Sequence, residues 1–260
     1  MLTDLRTKSA RTFWVAGLIL LFVAIINVAF TLLVKGFGYD DILREPAAMI
    51  LTRFDAGGES LILIWLTFAV GGLLFVPIAL LLPGELGVAS RGGVSVTAAL
   101  GVISSVLQAI GLLRWVFVVP VLAASYLSAN ASEASRAAAL SNFQLVHQYG
   151  GVVVGEFLGQ AFLVTWTIGT CAAMLRAGRT LRWLGRAGLL TVPLWILGFS
   201  EFLATVMPSV TSLELAPVAF MAWEAWLTGV AIALLAQALK DRRLSSRAPA
   251  VEVATTPAVL

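Results

Sequence analysis

Apolar residues in this chain come in six long blocks, over residues 13–34, 60–82, 94–122, 149–175, 184–207 and 213–239. Each is long enough to cross about 30 Å of hydrocarbon as a helix rising 1.5 Å per residue. None alternates with the period of two that marks a membrane barrel strand. Backbone groups in lipid must bond within their own segment. The pattern therefore predicts an all-α fold, a polytopic membrane six-helix bundle over residues 1–243. Residues 244–260, rich in Ala, Pro, Val and Thr, read as a disordered cytoplasmic tail.

Composition supports this reading. The chain is 60% hydrophobic and only 12% charged, against about 25% charged in a soluble domain. With the N-terminus inside, the inner segments carry twelve Lys and Arg residues: Arg6, Lys8, Arg11, Arg91, Arg176, Arg179, Arg182, Arg186, Lys240, Arg242, Arg243 and Arg247. The outer loops carry four: Lys35, Arg44, Arg53 and Arg136. This bias puts both termini in the cytoplasm, in a multi-pass protein of the bacterial cytoplasmic membrane whose first partner is the lipid bilayer. The net charge of +3 is thus a topology signal, and no nucleic acid is expected as a partner. The first block is too long for a signal-peptide core and reads as a retained helix. A single cysteine, Cys171, rules out an intrachain disulfide and a Cys-based metal cluster.

Two outer loops are long. Residues 46–55 form an amphipathic piece with Met49, Ile50, Leu51 and Phe54. Ser132 and Glu133 read as the capped start of a helix leading into the fourth block. Both loops are placed at the membrane interface, where they can cover the mouth of a site.

The candidate chemistry lies inside the blocks. Arg114, Glu156, Glu201 and Glu224 interrupt four of them. Threaded in order, all four fall roughly 9–17 Å below the outer boundary. A charge in hydrocarbon costs roughly 2.5–3.5 kcal/mol on insertion scales, so such residues face partners or cavities. Helical spacing gives them polar neighbours: Tyr149 and Gln160 with Glu156, Thr205 with Glu201, Thr228 with Glu224, and Asn27 at similar depth on the first block. Three carboxylates meet one certain cation. One can pair with Arg114, and the excess calls for a proton or a bound cation. The alternative is an architectural network that only holds helices together.

His147 is the sole histidine. It is a weak metal candidate, because on a straight α-helix it is half a turn out of phase with Glu156. Gly151, Gly155 and Gly159 form a small-residue stripe suited to close helix packing. Trp14, Trp65 and Trp183 fit aromatic belts; Trp115, Trp223 and Trp226 are expected to pack against lipid, the alternative being stacking on Arg114 or a bound cation. No Walker loop, dinucleotide fingerprint, HExxH or GxSxG motif occurs, and no cofactor is expected.

Residues 112–120 (LLRWVFVVP) and 143–151 (FQLVHQYGG), followed by 155–159 (GEFLG), carry a resemblance. They resemble motifs of bacterial domain-of-unknown-function family 4386, six-pass membrane proteins with no assigned activity. The resemblance covers most of the chain and implies six helices. It implies no catalytic residues.

The expected function is binding or transport of a small polar or cationic solute, with or without proton coupling. One alternative is a membrane-embedded enzyme using a glutamate as acid or base, with or without a metal. Another is a structural or regulatory membrane subunit.

Overall fold

The computed structural model describes residues 2–86, 93–176 and 178–247. Arg91 of the inner loop and residues 248–260 of the expected tail lie outside the described residues. The described chain is helical throughout, with no strand, and six of its helical stretches are long and apolar enough to cross a membrane.

The first crossing is one helix, α1 (Leu2–Phe37). The second is α2 (Ala47–Leu73) continued by α3 (Phe75–Glu85). The third is α4 (Gly93–Phe117) continued by α5 (Val119–Leu127). The fourth begins as α6 (Glu133–Val146), passes through a π-helical segment (His147–Leu158) and ends as α7 (Gly159–Leu175). The fifth is built from α8 (Arg179–Leu189), α9 (Val192–Gly198) and α10 (Ser200–Ala204). The sixth is α11 (Ala216–Arg247), so helix extends past residue 243. The breaks before α3, α5 and α9 fall just ahead of Pro77, Pro120 and Pro193. Proline lacks the N–H that would bond one turn back and clashes with that carbonyl.

The amphipathic segment expected over residues 46–55 is the first part of α2. It turns at Gly58 (φ 57°), a left-handed conformation that suits glycine. Its Ile50, Leu51 and Phe54 are buried in a core with Phe37, Trp65, Trp115 and Phe143. The cap expected at Ser132 is present, its Oγ accepting from Ser135 N at 3.2 Å.

Two termini share one face. Ser9 Oγ on α1 donates to Ala238 O on α11 at 3.1 Å, and Arg242 Nε donates to Ser9 Oγ at 3.2 Å. Nearby, Arg11 forms an ion pair with Glu85, whose other oxygen accepts from Thr12. Glu85 is a buried carboxylate that hydropathy alone did not mark, because it sits just past the apolar block.

The tryptophans divide differently from expectation. Trp14 and Trp183 are exposed on the outside of the bundle. Trp65, Trp115, Trp223 and Trp226 are buried inside it. Trp65 and Trp115 stack at 4.9 Å with an interplanar angle of 10°. A helical wheel cannot say which neighbour a ring will meet. Gly188 leaves room for one of them: a Cβ built there would lie 2.6 Å from the Trp226 ring.

Candidate functional site

The fourth crossing is shaped around its glycines. π-Helical turns are rare, occur mostly as single-turn bulges, and are frequent at functional sites. Here the segment runs for 12 residues. It presses Gly155 against Gly111 of α4 so closely that a Cβ built on Gly155 would lie 2.9 Å from Gly111 Cα. Gly159 meets Gln108 in the same way, and Gly151 meets the guanidinium of Arg114. The small-residue stripe is thus a backbone contact that also makes room for an arginine side chain.

A cavity of about 290 Å³ opens beside this contact. Arg114, Glu156, Glu201 and Glu224 all line it, with Asn27 and Gln160. It lies towards the end of the bundle opposite the termini, where Tyr39 and Asp40 of loop 38–46 line it and Arg44 of that loop pairs with Glu214 of loop 205–215.

Arg114 is buried (6% exposed). Its Nη1 donates to Gly111 O on its own helix, and its Cζ lies 5.2 Å from the Trp115 ring centroid. The expected direct pair with a glutamate does not form: among the described residues, no carboxylate is in ion-pair contact with Arg114. The guanidinium sits against Gly151, where a Cβ would lie 2.5 Å from it. Its Nε has no protein partner.

The three glutamates have different surroundings. Glu201 Oε1 accepts from Ala216 N at 2.8 Å and so caps the first turn of α11, where a negative charge also meets the helix dipole favourably. Glu224 is buried (5% exposed); its Oε2 accepts from Asn27 Nδ2 at 2.9 Å, and its Oε1 has no protein partner. The Glu156 carboxylate forms no hydrogen bond or ion pair with another described residue and borders the cavity. Gln160 Oε1 is buried and unpartnered too. Buried polar atoms are nearly always satisfied, so three unpartnered ones around one cavity mark it as a place for a polar guest.

Other expected members stand apart. Tyr149 is 66% exposed and points away from the cavity. Thr205 accepts from Gln148 Nε2 at 2.9 Å and donates to Phe202 O at 2.7 Å, outside the cavity lining. Thr228 does not line it either. Each was placed by the period of a regular α-helix. The π-helical segment changes that phase in the fourth crossing, and in the fifth α10 ends at Ala204, just before Thr205. His147 stacks on Phe143 at 5.5 Å and 19°, with its edge towards Trp115. Among the described residues no His, Cys, Asp and Glu cluster could hold a metal ion.

Sequence reasoning missed Tyr39, Asp40, Ser105 and Gln108, which also line the cavity. Gln108 carried a usable signal, since polar Ser104 lies four residues before it inside an apolar block. Gln108 Nε2 donates to Ser104 Oγ at 2.9 Å, and Ser104 Oγ donates to Gly159 O at 2.7 Å. Tyr39 and Asp40 come from the short loop after α1, which has no periodicity to read. The Tyr39 ring meets Trp65 edge-on at 5.2 Å. Arg44 ties the loop down through Asp40 at 3.8 Å and reaches Glu214 of the opposite loop at 3.5 Å.

Burial raises the Tyr39 hydroxyl pKa, with Glu156 adding to it. Burial also raises the Asp40 carboxyl pKa, outweighing Arg44, which lowers it. The folded protein therefore holds the Asp40 proton more tightly than the unfolded chain. Its stabilising contribution is complete below the unfolded value of about 3.9 and falls as pH rises through the folded value. Asp40→Asn is expected to remove that decline. Thermal unfolding from pH 4 to 8 should give a flatter profile for the variant, with a midpoint at pH 7 no lower than wild type. A steeper loss on raising pH would show that Arg44 dominates instead.

No curated protein and no solved structure matches the chain. The family model described as Domain of unknown function (DUF4386) matches residues 15–233, and over that span, which takes in all six crossings, the chain belongs to this family.

Proposed function

We propose that this protein binds a small polar or cationic solute in its cavity, as a binding or transport protein of the bacterial cytoplasmic membrane. The observation that carries the reading is the charge imbalance. Asp40, Glu156, Glu201 and Glu224 line the cavity with one guanidinium, Arg114, and Arg114 is paired directly with none of them. An architectural network would close its charges onto each other, because a buried charge without a partner is costly. Open carboxylates attract a cation instead. Glu156, with no fixed partner, can take up or release a proton as a solute arrives, which supports proton coupling. Together with the positive-inside bias, the position of the cavity away from the termini supports an opening towards the outside.

One labelling experiment tests these points. Ala109 is 4% exposed and lines the cavity, whereas Arg179 begins α8 on the proposed inner side. Cysteines would be placed at each position in a Cys171→Ala background. On whole cells, Ala109→Cys is expected to react with small impermeant thiosulfonates, and faster with a cationic reagent than with an anionic one. Arg179→Cys should react only after the membrane is opened. An inert cysteine at 109, or a preference for the anion, would remove the cationic-solute reading. Labelling at 179 on intact cells would overturn the topology.

A further inference from the structure

The carboxylates that line the cavity differ in what holds them. Arg114 lies against Gly151, on the segment that carries Glu156. Asp40 has Arg44, and Glu201 has the first turn of α11. Glu224 stands apart: among the described residues it has no ion pair, and it caps no helix. Its partner is a neutral amide, Asn27. That amide donates through Nδ2 both to Glu224 and to Val23 O at 2.8 Å, which leaves Asn27 Oδ1 as a second acceptor. Glu224 Oε1 is buried with no protein partner.

Phe220 lies one helical turn before Glu224 on α11 and Trp223 adjoins it, so this end of the lining, around Glu224, is aromatic. Phe22, Phe75, Phe220 and Trp223 all line the cavity. Their rings form one group centred on Trp223, with Phe75 at 5.5 Å, Phe220 at 6.0 Å and Phe22 at 6.3 Å. Ring faces attract a cation and tolerate hydrocarbon, a combination that suits an organic ammonium group. A hard metal ion fits poorly, since Ca²⁺ takes 6–8 oxygen ligands and Mg²⁺ takes six, whereas this end offers one carboxylate and one amide oxygen. A cavity of about 290 Å³ has room for more than a bare ion and falls near the lower end for small-molecule sites.

We infer that Glu224 and Asn27, walled by Phe22, Phe75, Phe220 and Trp223, form a head-group site for an organic ammonium ion that carries an apolar substituent. This rests on the solute-binding reading above and narrows it to one class. The ammonium N–H groups donate to Glu224 Oε1 and Asn27 Oδ1, and the substituent lies along the aromatic wall.

The test uses purified full-length protein and four probes: n-butylammonium, butyrate, 1-butanol and potassium. Tryptophan fluorescence reports binding, because Trp223 borders the site. Only n-butylammonium should bind with a saturable change. E224Q should weaken it on the order of 30-fold, the scale for losing one partner of a buried charge pair. Phe220→Leu, which keeps every charge, should weaken it about threefold through the lost cation–π contact. Circular dichroism establishes that both variants are folded. Unchanged affinity in both variants would overturn the inference, as would equal binding of butyrate or 1-butanol. Saturable binding of potassium alone would overturn the organic head group while leaving a cation site standing. If no probe binds, the inference falls, and the reactivity of Ala109→Cys decides separately whether the cavity reading falls with it.

Discussion

Trp115→Ala is expected to cost about 3–5 kcal/mol, the range for deleting a large aromatic from a packed interior. The ring is fully buried. It stacks on Trp65, meets Phe37 at 5.4 Å and Phe54 at 5.7 Å, and has Arg114 over one face. Three parts of the chain meet there: the end of α1, both portions of α2 and the end of α4. Removing the indole leaves a hole that none of them can fill alone. Equilibrium denaturation in detergent would measure the loss, and Trp115→Phe should recover about half of it. A cost below about 1 kcal/mol would place the ring against lipid, where hydrocarbon replaces it easily.

Gly155→Val is expected to cost about 2–3 kcal/mol, from overpacking against a neighbour that cannot rotate away. The atom in the way is the Cα of Gly111, and a backbone atom moves only if the helix does. Forcing the π-helical segment away from α4 would also displace Glu156 and the Arg114 cradle, so binding should fall with stability. Gly17 supplies the control. A Cβ there would touch nothing within 4 Å, so Gly17→Ala should be neutral or mildly stabilising. Similar losses at both positions, measured by thermal unfolding, would mean that the stripe is not a contact surface.

The sequence made the helices legible because twenty-residue apolar blocks have few physical alternatives in a membrane. It also made the convergence of Arg114, Glu156, Glu201 and Glu224 legible, since depth follows from residue counting along each crossing. Rotation about each helix axis was harder to read. A wheel with 3.6 residues per turn grouped Tyr149 with Glu156 and Thr205 with Glu201, but the π-helical segment shifts the first phase and α10 ends at Ala204, before Thr205. The pairing of Arg114 was illegible for another reason. Depth brings a guanidinium and carboxylates to one layer without fixing whether a cavity separates them. Tyr39 and Asp40 were hidden because a short loop between crossings has no period. Depth placed Glu201 in the polar layer, but its contact with the start of α11 depends on a tertiary hydrogen bond 15 residues away.

Neutralising the unpaired charges tests most directly whether the cavity is a binding site or a brace. A triple variant carrying Arg114→Met, Glu156→Gln and Glu224→Gln keeps side-chain volume and leaves Asn27 an acceptor at position 224. Replacing buried charges that do not pair should be neutral or stabilising, as is common when binding sites are traded for stability. The thermal midpoint of the triple variant in detergent should therefore lie within a few degrees of wild type or above it, while n-butylammonium binding is lost. A fall of roughly 10 °C or more, corresponding to about 3 kcal/mol, would show that these charges hold the helices together and would contradict the binding-site reading.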